Sequence, residues 1–299
     1  MKNARRSFSN AFLIVTLLVS AAVLLGLHPD PTVGLVVLVA SVILLGLPHG
    51  ALDPMVGQSV FPGYRRAAFY LLYVSAAALV VVAWIAWPKA ALGCFLLVAA
   101  FHFGSDLEGE SRVWLRICYG LTIVTLPCVR YGADVATIYR MLALQPAGDY
   151  VAWSPWIAYA AGATTLIAVS LKAKSDLRRV AEVAVILLSG VCLPPLLFFS
   201  CYFGLLHSPR HLLETASSLG LKTLRSLFAT TAPIVFATLC LAGIGWGVMH
   251  RYSGQQRVLL IVFVGLAALT VPHMLLEVCA RYMPALRFAL GRLGSSPSQ

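Results

Sequence analysis

Apolar runs of about 20 residues recur along the whole chain. Short segments rich in Arg, Lys, Asp, Gly and Pro separate them. A helix of that length crosses a hydrocarbon core of about 30 Å. The pattern predicts ten spans, at 8–27, 32–52, 67–87, 89–105, 112–130, 151–171, 179–194, 196–212, 229–249 and 257–278. The stretch 179–212 decides the count. As one helix it would run roughly 50 Å at 1.5 Å per residue, well beyond the core. Pro194-Pro195 interrupts it, so it reads as two helices turning there, while one broken helix would give nine spans. No run is left for a soluble domain. The expectation is one integral membrane domain over 1–299, an all-α polytopic bundle.

Charge supports ten spans. With an inside N-terminus, 17 of the 22 lysines and arginines fall on the inner side. The nine-span reading lowers that number to 13. The positive-inside rule therefore favours ten spans with both termini cytoplasmic. The leading Met1-Lys-Asn-Ala-Arg-Arg6 resembles a signal peptide. It reads better as an uncleaved first helix, because further spans follow at once.

Composition agrees: 60% of residues are hydrophobic and 11% charged, against about 25% charged in soluble domains. The net charge of +11 is scattered through short loops rather than gathered on one face. Nucleic acid is therefore excluded as a partner. The seven cysteines lie in or beside apolar runs and form no CxxC pair, so they read as buried free thiols.

The chemistry sits in the histidines. In the ten-span topology His49, His102, His207, His211 and His273 all end spans that run from outside to inside. Five rings thus reach one depth near the cytoplasmic face, within a chain otherwise poor in polar residues. Ionisable side chains in a membrane are costly and point to function. His207 and His211 share a helix face at i, i+4. Asp53, Asp106 and Glu277 each follow a histidine by four residues, and Glu214 follows His211 by three. A ligating histidine commonly gives its other N–H to a carboxylate; these acids equally mark the water interface at helix ends. His28 and His250 sit on the opposite face and carry no assigned role. The pattern reads as a metal or cofactor site. An all-nitrogen donor set suits iron, copper or zinc, and too few histidine boxes are present for a diiron hydroxylase, so a single ion fits better. A haem-binding membrane electron carrier and a histidine-dependent transporter remain open on these residues.

Pro48-His-Gly-Ala-Leu-Asp53, His102-Phe-Gly104, His207-Ser-Pro-Arg-His211 and Pro272-His273 appear in this order. In motif and spacing the chain resembles the Brp/Blh family of membrane β-carotene 15,15′-dioxygenases over nearly its whole length. One departure is Phe101, where many members carry Trp. The resemblance implies cleavage of the central double bond of β-carotene by O₂ to two all-trans-retinal molecules, in the inner cell membrane. It implies Fe(2+) held by His49, His102, His207 and His211, with His273 as a further ligand or an outer partner. Phe101, Phe103, Phe198, Phe199, Tyr202 and Phe203 lie near the histidines in sequence. They are candidates to line a polyene tunnel, and equally candidates for core or lipid contact.

Overall fold

The computed structural model describes residues 2–107, 109–172 and 176–293, with backbone only for 2–3 and 283–293. All regular structure in them is helical. The order is α1 Lys2–Leu24, α2 Pro31–Ser41, α3 Leu47–Gly50, α4 Asp53–Val60, α5 Arg65–Ala86, α6 Pro88–Phe103, α7 Val113–Thr125 and α8 Cys128–Ala143. Then come α9 Asp149–Ala152, α10 Ser154–Ser170, α11 Leu177–Cys192, α12 Pro195–Tyr202, α13 Ser208–Ser218, α14 Leu224–Val248 and α15 Gly254–Leu293.

Among the described residues, six helical stretches are long and apolar enough to cross a membrane: Ala4–Leu24, Pro31–Val60, Arg65–Ala86, Pro88–Asp106, Leu224–Val248 and Gly254–Tyr282. A bent pair, α7 and α8, raises the number to seven. The expected span 112–130 is thus shorter and differently shaped. α7 stops at Thr125, and α8 leaves at 68°. Residues 131–143, read as loop, are helical. α10 and α11 occupy the expected spans 151–171 and 179–194, with 17 and 16 residues. At 179–212 the chain does separate: Leu193 and Pro194 are extended (ψ 145° and 146°) between α11 and α12. The carboxyl end beyond 293 lies outside the described residues.

Local chemistry explains the boundaries. Asp30 caps α2 through the Thr32 amide at 2.7 Å, with Pro31 in the first turn. Asp176 caps α11 through the Arg179 amide, and Thr223 with Ser226 forms a capping box on α14. Two segments widen into π-turns, Val42–Gly46 and Phe203–His207. Each lies just before a proline, Pro48 or Pro209. A proline clashes with the carbonyl four residues back, and an extra residue in the turn relieves that clash. Both widened turns deliver a histidine, His49 or His207.

The bundle closes tightly around α6 and α7. A Cβ on Gly120 would lie 1.6 Å from the Ala100 carbonyl oxygen, and one on Gly104 would lie 2.5 Å from that of Arg116. Backbone meets backbone there, as small residues permit in membrane helices. Beneath α13, Arg210 is buried and pairs with Glu182 of α11 at 2.5 Å and with the Ser9 hydroxyl of α1 at 2.9 Å. That pair ties three helices together; removing one partner would leave a buried charge alone. Outward faces carry large exposed apolar side chains, such as Leu71, Leu72, Phe236 and Leu241, which suit lipid. In the loop before α7, Arg112 and then Lys172 hold the Glu110 carboxyl below its ordinary range, against the opposing effect of burial.

Two outcomes follow. Gly120→Ala should prevent stable folding, seen as lost monodisperse protein on detergent extraction; full yield would contradict the backbone contact. The Glu110 clamp contributes stability at pH above the carboxyl's unfolded pKa, about 4.3. That contribution fades as pH falls through the lower folded value. Glu110→Gln should therefore lower the thermal midpoint at pH 7, and the difference from wild type should shrink in strong acid. An equal difference at both pH values would contradict it.

Candidate metal centre

The five intramembrane histidines meet. Ring centroids are 4.9 Å apart for His49 and His273, 4.8 Å for His102 and His207, and 4.7 Å for His207 and His211. His49 also lies 5.7 Å from His207, and His102 lies 5.6 Å from His273. The rings come from α3, α6, the second π-turn, α13 and α15, and His49, His102, His207 and His273 are buried. His28 and His250 are exposed and stand apart.

Two buried aspartates order this cluster. His273 Nδ1 donates to Asp53 at 2.8 Å, and Asp53 also accepts the Tyr73 hydroxyl at 2.6 Å. His207 Nδ1 donates to Asp106 at 3.0 Å, and Asp106 accepts the Tyr202 hydroxyl at 2.5 Å. The same Tyr–Asp–His chain thus occurs twice. A carboxylate on Nδ1 fixes the ring and leaves Nε2 as the basic atom. Asp106 further lies 3.0 Å from His211 Nε2. Glu277 stands 3.5 Å from His273 Nε2 and 3.9 Å from His211 Nδ1.

These pairings differ from the sequence spacing. Asp53 serves His273 rather than His49, because α3 ends at Gly50 and a new helix begins at Asp53. Asp106 serves His207 and His211 rather than His102, because Gly104–Asp106 tightens into a 3₁₀ turn. Either break abolishes the i, i+4 register. Glu277 remains in the unbroken α15 and does face His273. Glu214 is exposed, and no hydrogen bond or ion pair joins it to the histidines among the described residues. The sequence reading missed Tyr73 as a hydrogen-bond donor and the Arg210–Glu182 pair. Charges inside two expected spans were the available signal for the latter.

The donor set fits a cation. The Nε2 atoms of His49 and His207 are buried without a hydrogen-bond partner, and that of His273 has only Glu277 at 3.5 Å, which is costly unless another species satisfies them. Candidate ligand atoms gather in two sets, each within 4.8 Å: His49, His102 and His273, and Asp106, His207 and His211. The four ligands implied by the family motifs are therefore divided between sets, one completed by His273 and the other by Asp106.

An apolar chamber borders the rings. His49, His102 and His273 line it with Phe95, Phe103, Phe199 and Phe203. Phe198 lines the adjoining chamber. Tyr202 is fully buried and serves Asp106 instead, while Phe101 is 53% exposed on the outer surface.

Fold and site together define a polytopic helical membrane protein with a buried histidine–carboxylate centre fit for a metal ion. The family model described as Beta-carotene 15,15'-dioxygenase matches residues 40–279, a range that holds all five clustered histidines. The chain belongs to that family, whose reaction is the cleavage of carotene. A curated relative from uncultured marine bacterium 66A03, named Beta-carotene 15,15'-dioxygenase, is 28% identical over 252 residues. The match covers 79% of this chain and 90% of the relative. No solved structure matches the chain.

Removing the outer partner of a metal-binding histidine typically costs 10–100-fold in affinity. Asp53→Ala and Asp106→Ala should each weaken metal retention by about that factor. Dialysis against graded chelator measures it. Wild-type retention in both variants would contradict the role of these carboxylates.

Proposed function

We propose that this protein is an iron-dependent β-carotene 15,15′-dioxygenase that joins O₂ to the central double bond and releases two all-trans-retinal molecules. The reaction balances: one C=C bond breaks, and each carbon takes one oxygen atom of O₂. One observation carries this reading. The histidine centre lies beside an apolar chamber that abuts further apolar chambers on two sides. Phe95, Ala99, Phe103 and Phe199 also line the first of these, and Leu47, Leu266 and Leu269 also line the second. A long hydrocarbon cut at its middle needs room in two directions from the reacting bond.

His49, His102, His207 and His211 are the proposed ligands of Fe(2+), as their family motifs imply. The grouping of His273 with His49 and His102 supports it as a further ligand. Bound there, iron supplies the redox chemistry that lets O₂ react with a hydrocarbon. The protein's own groups hold that centre in place. Asp53 and Asp106 keep the His273 and His207 rings in one tautomer and orientation, and Tyr73 and Tyr202 steady the carboxylates. Phe103 and Phe199 exclude water and fix the polyene. The protein takes its substrate sideways from the bilayer, with no transfer through water. Ten spans with both ends cytoplasmic, in the inner cell membrane, complete the proposal. The positive-inside distribution and the helix break at Leu193–Pro194 support that count.

Expression in a β-carotene-producing cell, followed by chromatography of the pigments, tests the activity. The wild type should convert β-carotene to retinal and turn orange cells pale. His207→Ala should lower conversion at least a hundredfold while membrane insertion persists. Persistence of β-carotene with the wild type would refute the substrate, and undiminished activity in His207→Ala would refute that ligand.

A further inference from the structure

The chamber on the α14 side has features that the cleavage chemistry alone does not require. It lies between the α2 end and its π-turn (Val39, Val42, Ile43), α14 (Thr238 to Trp246) and α15 (Val258 to Leu269). Its volume is about 300 Å³, against about 50 Å³ beside the rings and about 100 Å³ on the opposite side. Two glycines line it, Gly243 on α14 and Gly265 on α15. A Cβ added at either meets nothing within 4 Å, so the space there is open. The neighbouring helix is loosely held: Thr231 is the one buried residue of α14. Thr238 is the single hydroxyl on these walls, and it donates to its own helix at the Ile234 carbonyl, 2.9 Å away. That bond removes it as a partner for a ligand. At the outer end Trp246 is braced by Arg257, whose guanidinium lies 4.8 Å from the ring.

We infer that this groove is the doorway from the bilayer and the seat for one ring-bearing half of the carotenoid, kept open by Gly243 and Gly265. Continuity with the histidine chamber through Leu47, Leu266 and Leu269 names the occupant. The other half passes Phe103 and Phe199 into the narrower chamber, whose far wall includes the buried Tyr139 and Leu142. Around the two glycines the groove walls are apolar apart from the committed Thr238 hydroxyl, with the Trp246 indole at the outer end, so that seat favours an unsubstituted hydrocarbon ring over a hydroxylated one. The loosely packed α14 is the wall that yields when the molecule slides in.

The inference rests on the proposed carotene cleavage. The test keeps the two separable by measuring pigment retention as well as turnover. Gly243→Leu and Gly265→Leu fill open space, so both should fold and retain metal as the wild type does. Each should retain at least tenfold less β-carotene on the purified protein in lipid nanodiscs. Each should also lower retinal formation at least tenfold. An apocarotenal with one complete half and a shortened second half should lose much less. Unchanged retention and turnover of β-carotene would overturn the inference, and so would an equal loss on both substrates. If the wild type forms no retinal, the cleavage reading falls. Retention still decides the groove: a leucine that displaces the pigment supports it, and one that does not overturns it.

Discussion

The structure depends on how imidazole is kept within an apolar bundle. A buried ring nitrogen without a partner costs free energy, and this chain buries four histidines nearly completely. For two of them, His207 and His273, it meets that cost by bringing carboxylates from other elements. Asp53 reaches His273 across 220 positions of sequence, and Asp106 reaches His207 across 101. Each aspartate is steadied by a tyrosine in turn. The outcome is plainest at His207, a ring fixed at Nδ1 and unsatisfied at Nε2, which is the condition a metal centre needs. In the apolar interior these bonds also specify which helices must be neighbours.

Irregular backbone makes the convergence possible. The π-turns before Pro48 and Pro209 shift His49 and His207 off the register of a plain helix. A 3₁₀ turn aims Asp106 away from its own His102. Backbone contact at Gly104 and Gly120 draws α6 against α7, close enough for the Arg116 side chain to donate to the Gly104 carbonyl. The two π-turns and the 3₁₀ turn each lie within a few residues of a ligand candidate, where irregular helical turns are commonly kept for function.

Much of this was legible in the sequence. Apolar runs located the helices, and the charge rule placed the five histidines at one depth before any contact was known. Pro194-Pro195 marked a real break. What remained hidden depends on three dimensions. Residues 112–143 look like one span and a loop, yet they form a pair of helices bent at 68°. The spacing of Asp53 from His49 suggested a local partnership that the helix break at Ala51–Leu52 dissolves. Glu277 behaved as its spacing implied because α15 runs on without interruption. Glu214 matched the same pattern and points outward. The partner tyrosines come from helix interiors, where an aromatic in an apolar run carries no mark of its role.

On the proposed function, these histidines jointly hold one redox-active metal. X-ray absorption at the iron edge of the purified, iron-loaded protein tests it most directly. Nitrogen and oxygen neighbours only are expected, with the multiple-scattering pattern of several imidazoles. Sulfur neighbours, or a spectrum without imidazole scattering, would contradict it.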